Sequence, residues 1–168
     1  MGIAALLRDH LSGAIRRLEE QLRRAFEGEA WHGPSVLESI AGVTAEQAVA
    51  RPIEGAHSIL ELVLHLGAGY RLVLRRLNGD GRPLTHAEDW PEPDVTPEGW
   101  ADAVRTLRRL HAELLSAVAA FPEERLDLPI VPEPAYTAFT QFIGMTQHDC
   151  YHAGQIALLK RALGLPSK

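Results

Sequence analysis

Four long stretches of this chain repeat apolar residues at the spacing of an α-helix, and each is punctuated by its own start or stop signals. The first runs from Ile3 to Phe26, with Leu7, Leu11, Ala14, Leu18, Leu22 and Ala25 along one stripe. The second opens at Ser58 with Glu61 three residues on, the pattern of a capping box, and carries Leu62, Leu66, Tyr70, Val73 and Leu77 to a stop at Asn78-Gly79-Asp80-Gly81. The third opens with Thr96-Pro97-Glu98, a cap followed by proline at the first helical position, and continues to Phe121-Pro122. The fourth runs from Thr137 to Leu163, with Lys160 and Arg161 complementing its C-terminal dipole and Gly164 and Pro166 ending it. No alternating strand pattern stands out. Helices of about 20–27 residues, each roughly 30–40 Å long, predict an all-α four-helix bundle. The 168 residues suit one domain spanning 1–168.

The connections are long enough to cross the bundle, so a simple up-down-up-down order is not assured. Residues 28–56 hold two short helical pieces, Ser35–Ile40 and Thr44–Ala50, broken by Gly33-Pro34, Gly42 and Pro52. Residues 79–96 are rich in Gly, Pro and acid, and the acidic stretch around Glu88 to Glu98 reads as a solvated loop. The formal charge of −5 gives no footprint for nucleic acid or an anionic membrane. No apolar run is long enough to span a bilayer. The absence of a basic n-region and a single cysteine lead us to expect a cytoplasmic protein.

Three of the histidines are placed for chemistry. His148 and His152 lie four apart on the fourth helix, so they share one face with Gln155, within about 60° on a helical wheel. His65 lies on the second helix at the shoulder of its apolar stripe, near Gly69. Two imidazoles at this spacing can share a metal ion, and a third from a facing helix leaves one coordination position open. The competing reading is a set of hydrogen-bonded core histidines, and the residues alone leave both open. A zincin needs glutamate where this chain has Asp149. A di-iron bundle needs Glu-x-x-His pairs on facing helices, and none of the four long segments carries one. Glycines at 69 and 144 are expected to leave space for a ligand.

The segments Gly55-Ala56-His57-Ser58-Ile59-x-Glu61-Leu62-Val63-x-His65-Leu66 and His148-Asp149-x-Tyr151-His152-Ala153-Gly154-Gln155-Ile156 resemble the DinB/YfiT-like family of metal-dependent enzymes. Softer similarities extend over nearly the whole chain, including Trp31-His32-Gly33-Pro34-Ser35, Asp89-Trp90-Pro91 and Trp100. The resemblance implies a four-helix bundle of non-sequential helix order and a homodimer. It implies a divalent metal, zinc or nickel, on His65, His148 and His152. It implies either a transferase using a low-molecular-weight thiol such as bacillithiol or mycothiol, or a hydrolase of a small substrate. A non-catalytic binding module or a structural dimer is the contrasting class.

Other side chains carry paired readings. Glu61 is a base or orienting group for His65, or only the capping box. Gln155 bonds a ligand or substrate, or is a packing amide. Tyr151 offers its hydroxyl to substrate, or packs. Asp149 holds an imidazole, or is solvated or ion-paired. His57 is expected as a cap or at a pocket rim, not as a ligand, and Cys150 in the core. Trp31, Trp90 and Trp100 are expected to pack, with Trp90 in a loop where it can also line the pocket mouth. His10, His32, His86 and His111 belong to no constellation.

Overall fold

The computed structural model describes residues 3–166, with side chains from residue 13 onward. Leu7, His10 and Leu11 of the first segment lie outside the described side chains. Seven α-helices appear in chain order: α1 (Ile3–Glu27), α2 (Val36–Ile40), α3 (Ala45–Val49), α4 (Ile59–Leu77), α5 (His86–Asp89), α6 (Pro97–Ala119) and α7 (Ala138–Ala162). A short 3-10 turn covers Glu123–Arg125, and the described residues contain no strand. The four long helices form the bundle. The fragment α5, inside the connection rich in Gly, Pro and acid, was not foreseen.

Local chemistry explains the boundaries. Ser58 N–H donates to Glu61 Oε2 at 2.7 Å, and Ser58 Oγ accepts from the Glu61 N–H at 3.3 Å. Two otherwise orphaned donors at the α4 N-terminus are thereby satisfied. Equivalent boxes start α2 at Ser35, α3 at Thr44 and α5 at Thr85. At the other end of α4, Asp80 N–H bonds the Arg75 carbonyl and Gly79 N–H the Arg76 carbonyl. This is the Schellman arrangement, and Gly79 supplies its φ of +89°.

α1 packs against α6 and α7, and α4 packs against the same two helices, while α2 lies on α7. The core between them holds Leu22, Phe26, Ile59, Leu66, Tyr70, Leu107, Leu114, Phe142 and Ile156. His111, expected to be unremarkable, is fully inside it. Its ring stacks on Phe26 with centroids 3.9 Å apart, and its Nε2 lies 3.4 Å from the Leu22 carbonyl. Burial pushes its pKa down to about 4, against a weaker opposing pull from that carbonyl. Trp31, expected to pack, is 93% exposed, because the connection after α1 turns it outward. Trp100 does pack, and its indole donates to the Val43 carbonyl at 3.2 Å.

Two outcomes are expected of this scaffold. Ser58→Ala removes the α4 cap and should cost about 1 kcal/mol in denaturant unfolding, with the fold retained. His111 titrates near 6.5 when unfolded and near 4 when folded. Between those values the unfolded chain holds the extra proton, so stability falls as pH drops through this window. His111→Phe should flatten that fall by on the order of 1 kcal/mol per pH unit. Parallel urea titrations of parent and variant at pH 7 and pH 4.5 isolate this residue, and identical pH slopes would contradict the assignment.

Candidate metal centre

α4 and α7 run antiparallel, and their facing residues meet in register. His65 faces His148 and His152, Tyr70 bonds Asp149, and Arg76 bonds Gln141. The three histidines therefore converge. His148 Nε2 lies 3.0 Å from His65 Nε2 and 3.1 Å from His152 Nε2. Taking one ring nitrogen from each, all three donor atoms fall within 4.8 Å of one another. Imidazole bonds of about 2.0–2.1 Å around a tetrahedral ion require nitrogen separations of roughly 3.3 Å, close to the two short edges observed.

Outer partners fix two of the rings. His65 Nδ1 lies 3.1 Å from the Asp89 carbonyl and 3.0 Å from Asp89 Oδ1. A carbonyl oxygen only accepts, so Nδ1 carries the proton and Nε2 keeps its lone pair. His152 Nδ1 likewise donates to Gln155 Oε1 at 2.6 Å. The third ring, His148, has its Nε2 wedged between these two lone pairs and its Nδ1 buried without a partner. Burial, then the neighbouring His152 and His65, push His148 down to about 3. Burial also lowers His152, with His65 adding to the effect and Gln155 opposing it. Neutral imidazoles with inward lone pairs form a donor set that fits zinc or nickel.

The connection between α4 and α6 completes the wall. Trp90 stacks on His65 with centroids 4.0 Å apart and rings 2° from parallel, and its other face stacks on His57 at 3.7 Å. Glu88 anchors this segment through Arg82, the Thr85 cap and Arg75, and the Arg82 and Thr85 contacts hold its carboxyl at about 2. The expectation of a solvated acidic loop is thus corrected at Glu88 and Asp89, whereas Trp90 packs against the site as expected. Their polar and aromatic groups find partners on α4 that a linear reading does not place beside them. The part played by Asp89 was missed in the sequence, since a loop carboxylate 24 residues from His65 has no helical spacing to reveal it.

The remaining candidates fall as follows. Gln155 bonds His152 rather than open space. Tyr151 is 65% exposed, with its ring edge-on to His152 at 5.0 Å, so it is not a packed tyrosine. Glu61 is bonded to Ser58, accepts from Arg51 Nη2 at 2.5 Å and lies 3.7 Å from His57 Nδ1. Burial works to raise its carboxyl, but the Ser58 bonds and Arg51 outweigh it and hold the group below its ordinary value. Asp149, expected to be solvated or ion-paired, is completely buried, with both oxygens 2.8 Å from the Tyr70 hydroxyl. α1, α2 and α4 all cover α7, and a hydroxyl is the partner found there. Burial pushes Asp149 up to about 8, with the Tyr70 bond opposing. Cys150 is half-buried rather than core, and its Sγ lies 3.1 Å from His32 Nε2 in the connection after α1. Gly69 does not leave space. A Cβ there would stand 3.2 Å from His148 Cε1, so glycine lets the imidazole seat against α4. Gly144 does open space, with nothing within 4 Å of a Cβ built on it. It helps line a cavity of about 330 Å³ beside His65 and His148.

The profile of the DinB superfamily matches residues 7–156. The chain belongs to the DinB superfamily. A crystal structure of a conserved protein from Enterococcus faecalis has the same fold, with a TM-score of 0.53 at 19% identity over 98% of this chain and 99% of that one. No curated protein matches the sequence. No described helix of this DinB-superfamily protein is long and apolar enough to cross a membrane.

If Gln155 orients His152, Gln155→Leu should weaken binding of zinc by about 10–100-fold while leaving the melting temperature near that of the parent. Unchanged zinc affinity by competition with a chromophoric chelator would show that the His152 orientation does not depend on this amide.

Proposed function

We propose that this protein is a metal-dependent enzyme acting on a small organic molecule, with His65, His148 and His152 holding one divalent ion, zinc or nickel. The observation that carries this reading is the inward convergence of three Nε2 atoms, two of them fixed as lone pairs by Asp89 and Gln155. Without a cation those two lone pairs would each point at His148 Nε2 across about 3 Å, with a single His148 proton to share. A divalent ion on three neutral imidazoles keeps its full charge and supplies the Lewis acidity that brings a bound water to a pKa of about 7 or deprotonates a thiol.

The chain's own groups provide positioning and proton handling. Asp89 and the Trp90 face hold His65, and Gln155 holds His152. The ionised Glu61 carboxylate and half-exposed His57 form a pair at 3.7 Å that is our candidate to take up the proton a thiol or water loses. Tyr151, at the exposed edge of His152, is our candidate to hydrogen-bond substrate. The apolar cavity walls beside the cluster suit an organic reactant. We assign the reaction as group transfer involving a low-molecular-weight thiol, bacillithiol or mycothiol. Hydrolysis at the same site is the alternative. We further propose a cytoplasmic homodimer of single-domain chains. Exposed Tyr151 and Leu158, two turns apart on α7, support a partner surface there.

Metal analysis of natively purified or zinc-reconstituted protein should give about one ion per chain, and His148→Ala should lose it. Light scattering on the same sample reads the dimer. Bacillithiol consumption with chlorodinitrobenzene, against hydrolysis of a small ester, separates transferase from hydrolase. A wild-type protein that takes up neither zinc nor nickel, or a His148→Ala variant with full metal content, would sink the reading.

A further inference from the structure

The cavity beside the histidines ends in an unbalanced charge. Its α4 wall places His65, Gly69, Leu72, Val73 and Arg76 on one helical face. Across it, Gln141 stands two turns before His148 on α7, a span of roughly 10 Å. Arg76 is only 9% exposed. Its Nη1 donates to Gln141 Oε1 at 2.9 Å, its Nε is buried with no hydrogen-bond partner, and no carboxylate among the described residues pairs with it. The neighbouring Arg75 is another cation, itself engaged by Asp80 and Glu88. A guanidinium cannot escape burial by losing its proton, and an uncompensated buried charge destabilises the fold that holds it. Such a group is retained where something else supplies the anion.

We infer that Arg76 anchors a carboxylate of the substrate, which lies along the cavity with its reactive end at the histidine cluster. This rests on the reading of that cluster as the reacting end. A carboxylate is favoured over a phosphate because one guanidinium balances one negative charge. The second charge of a phosphate dianion would be stranded against the apolar side chains of Leu72 and Val73. The planar fork of arginine, with Nη1 already held by Gln141, fixes the plane in which its remaining N–H groups can meet a carboxylate. Gly144, which adds no side chain to the cavity, leaves room for the connecting carbons. The substrate class is therefore a small organic acid whose carboxylate is separated by a short apolar chain from the group that reacts.

The test compares hexanoate with hexanol by calorimetric titration of the intact protein, both metal-stripped and zinc-loaded. Hexanoate should bind about tenfold more tightly than hexanol. Arg76→Met should erase that preference, and Arg76→Lys should restore part of it. Gly144→Leu fills the cavity, leaves Arg76 in place and should abolish binding of both probes, which keeps the test decisive if Arg76→Met does not fold by circular dichroism. Equal affinity of the wild-type protein for the two probes, a preference that survives Arg76→Met, or unimpaired hexanoate binding to Gly144→Leu would overturn the inference. Hexanoate preference in a protein that takes up no zinc would defeat the metal reading alone, and zinc uptake without the preference would defeat the arginine anchor alone.

Discussion

The antiparallel seam between α4 and α7 sets the register on which the site depends. Polar contacts cross it at three levels: the histidine cluster, the Tyr70–Asp149 bond and the Arg76–Gln141 bond. Apolar packing alone would tolerate sliding, since one leucine fills a gap much as another does. Buried polar groups do not, because a slip of one residue leaves Asp149 and Arg76 without their partners in a medium of low dielectric. The central bond is fully enclosed, so it holds the helices at the one offset that brings His65 opposite His148 and His152. Gly69 then allows the closest approach at that level.

The connections act on this seam rather than merely joining helices. The segment after α4 is short of apolar residues and would not order itself by burial. It is tied down by Arg75, Arg82 and Glu88, and by the Thr85 capping box. That anchoring delivers Asp89 to the outer nitrogen of His65 and slides Trp90 between His65 and His57. The rings are thus fixed in tautomer and in plane by groups from outside the bundle. A reactive imidazole cluster needs both, since a ring free to rotate presents its lone pair only part of the time.

Polarity is distributed unevenly along the same cleft. The histidine end is neutral, depressed by burial below the ordinary imidazole range at His148 and His152. The Arg76 end is cationic. The wall between is apolar. This sequence of environments resembles the layout of a site that binds one molecule by its charged end and reacts with it at the other.

Periodicity and caps made the helices legible from the chain alone. Ser58 with Glu61, Thr96 with Pro97, and Gly164 are local signals whose chemistry acts within one helical turn, so no tertiary knowledge was needed to read them. The shared face of His148, His152 and Gln155 was legible for the same reason. What lay beyond reach was everything that depends on which helices meet and at what offset. Asp149 was expected to hold an imidazole or to be solvated or ion-paired, and Cys150 to be core, because the sequence does not say which elements cover each side of α7. Packing by α1, α2 and α4 buried the first and set the second beside His32. Asp89, Trp90 and Arg76 take their roles from neighbours 24 to 65 residues away, across a loop or a bundle seam. Local sequence determined where each helix begins and ends, because a cap is a contact between near neighbours. Only the tertiary structure decided which polar groups would be buried together, because that follows from the register of helices whose separation in sequence carries no periodic trace.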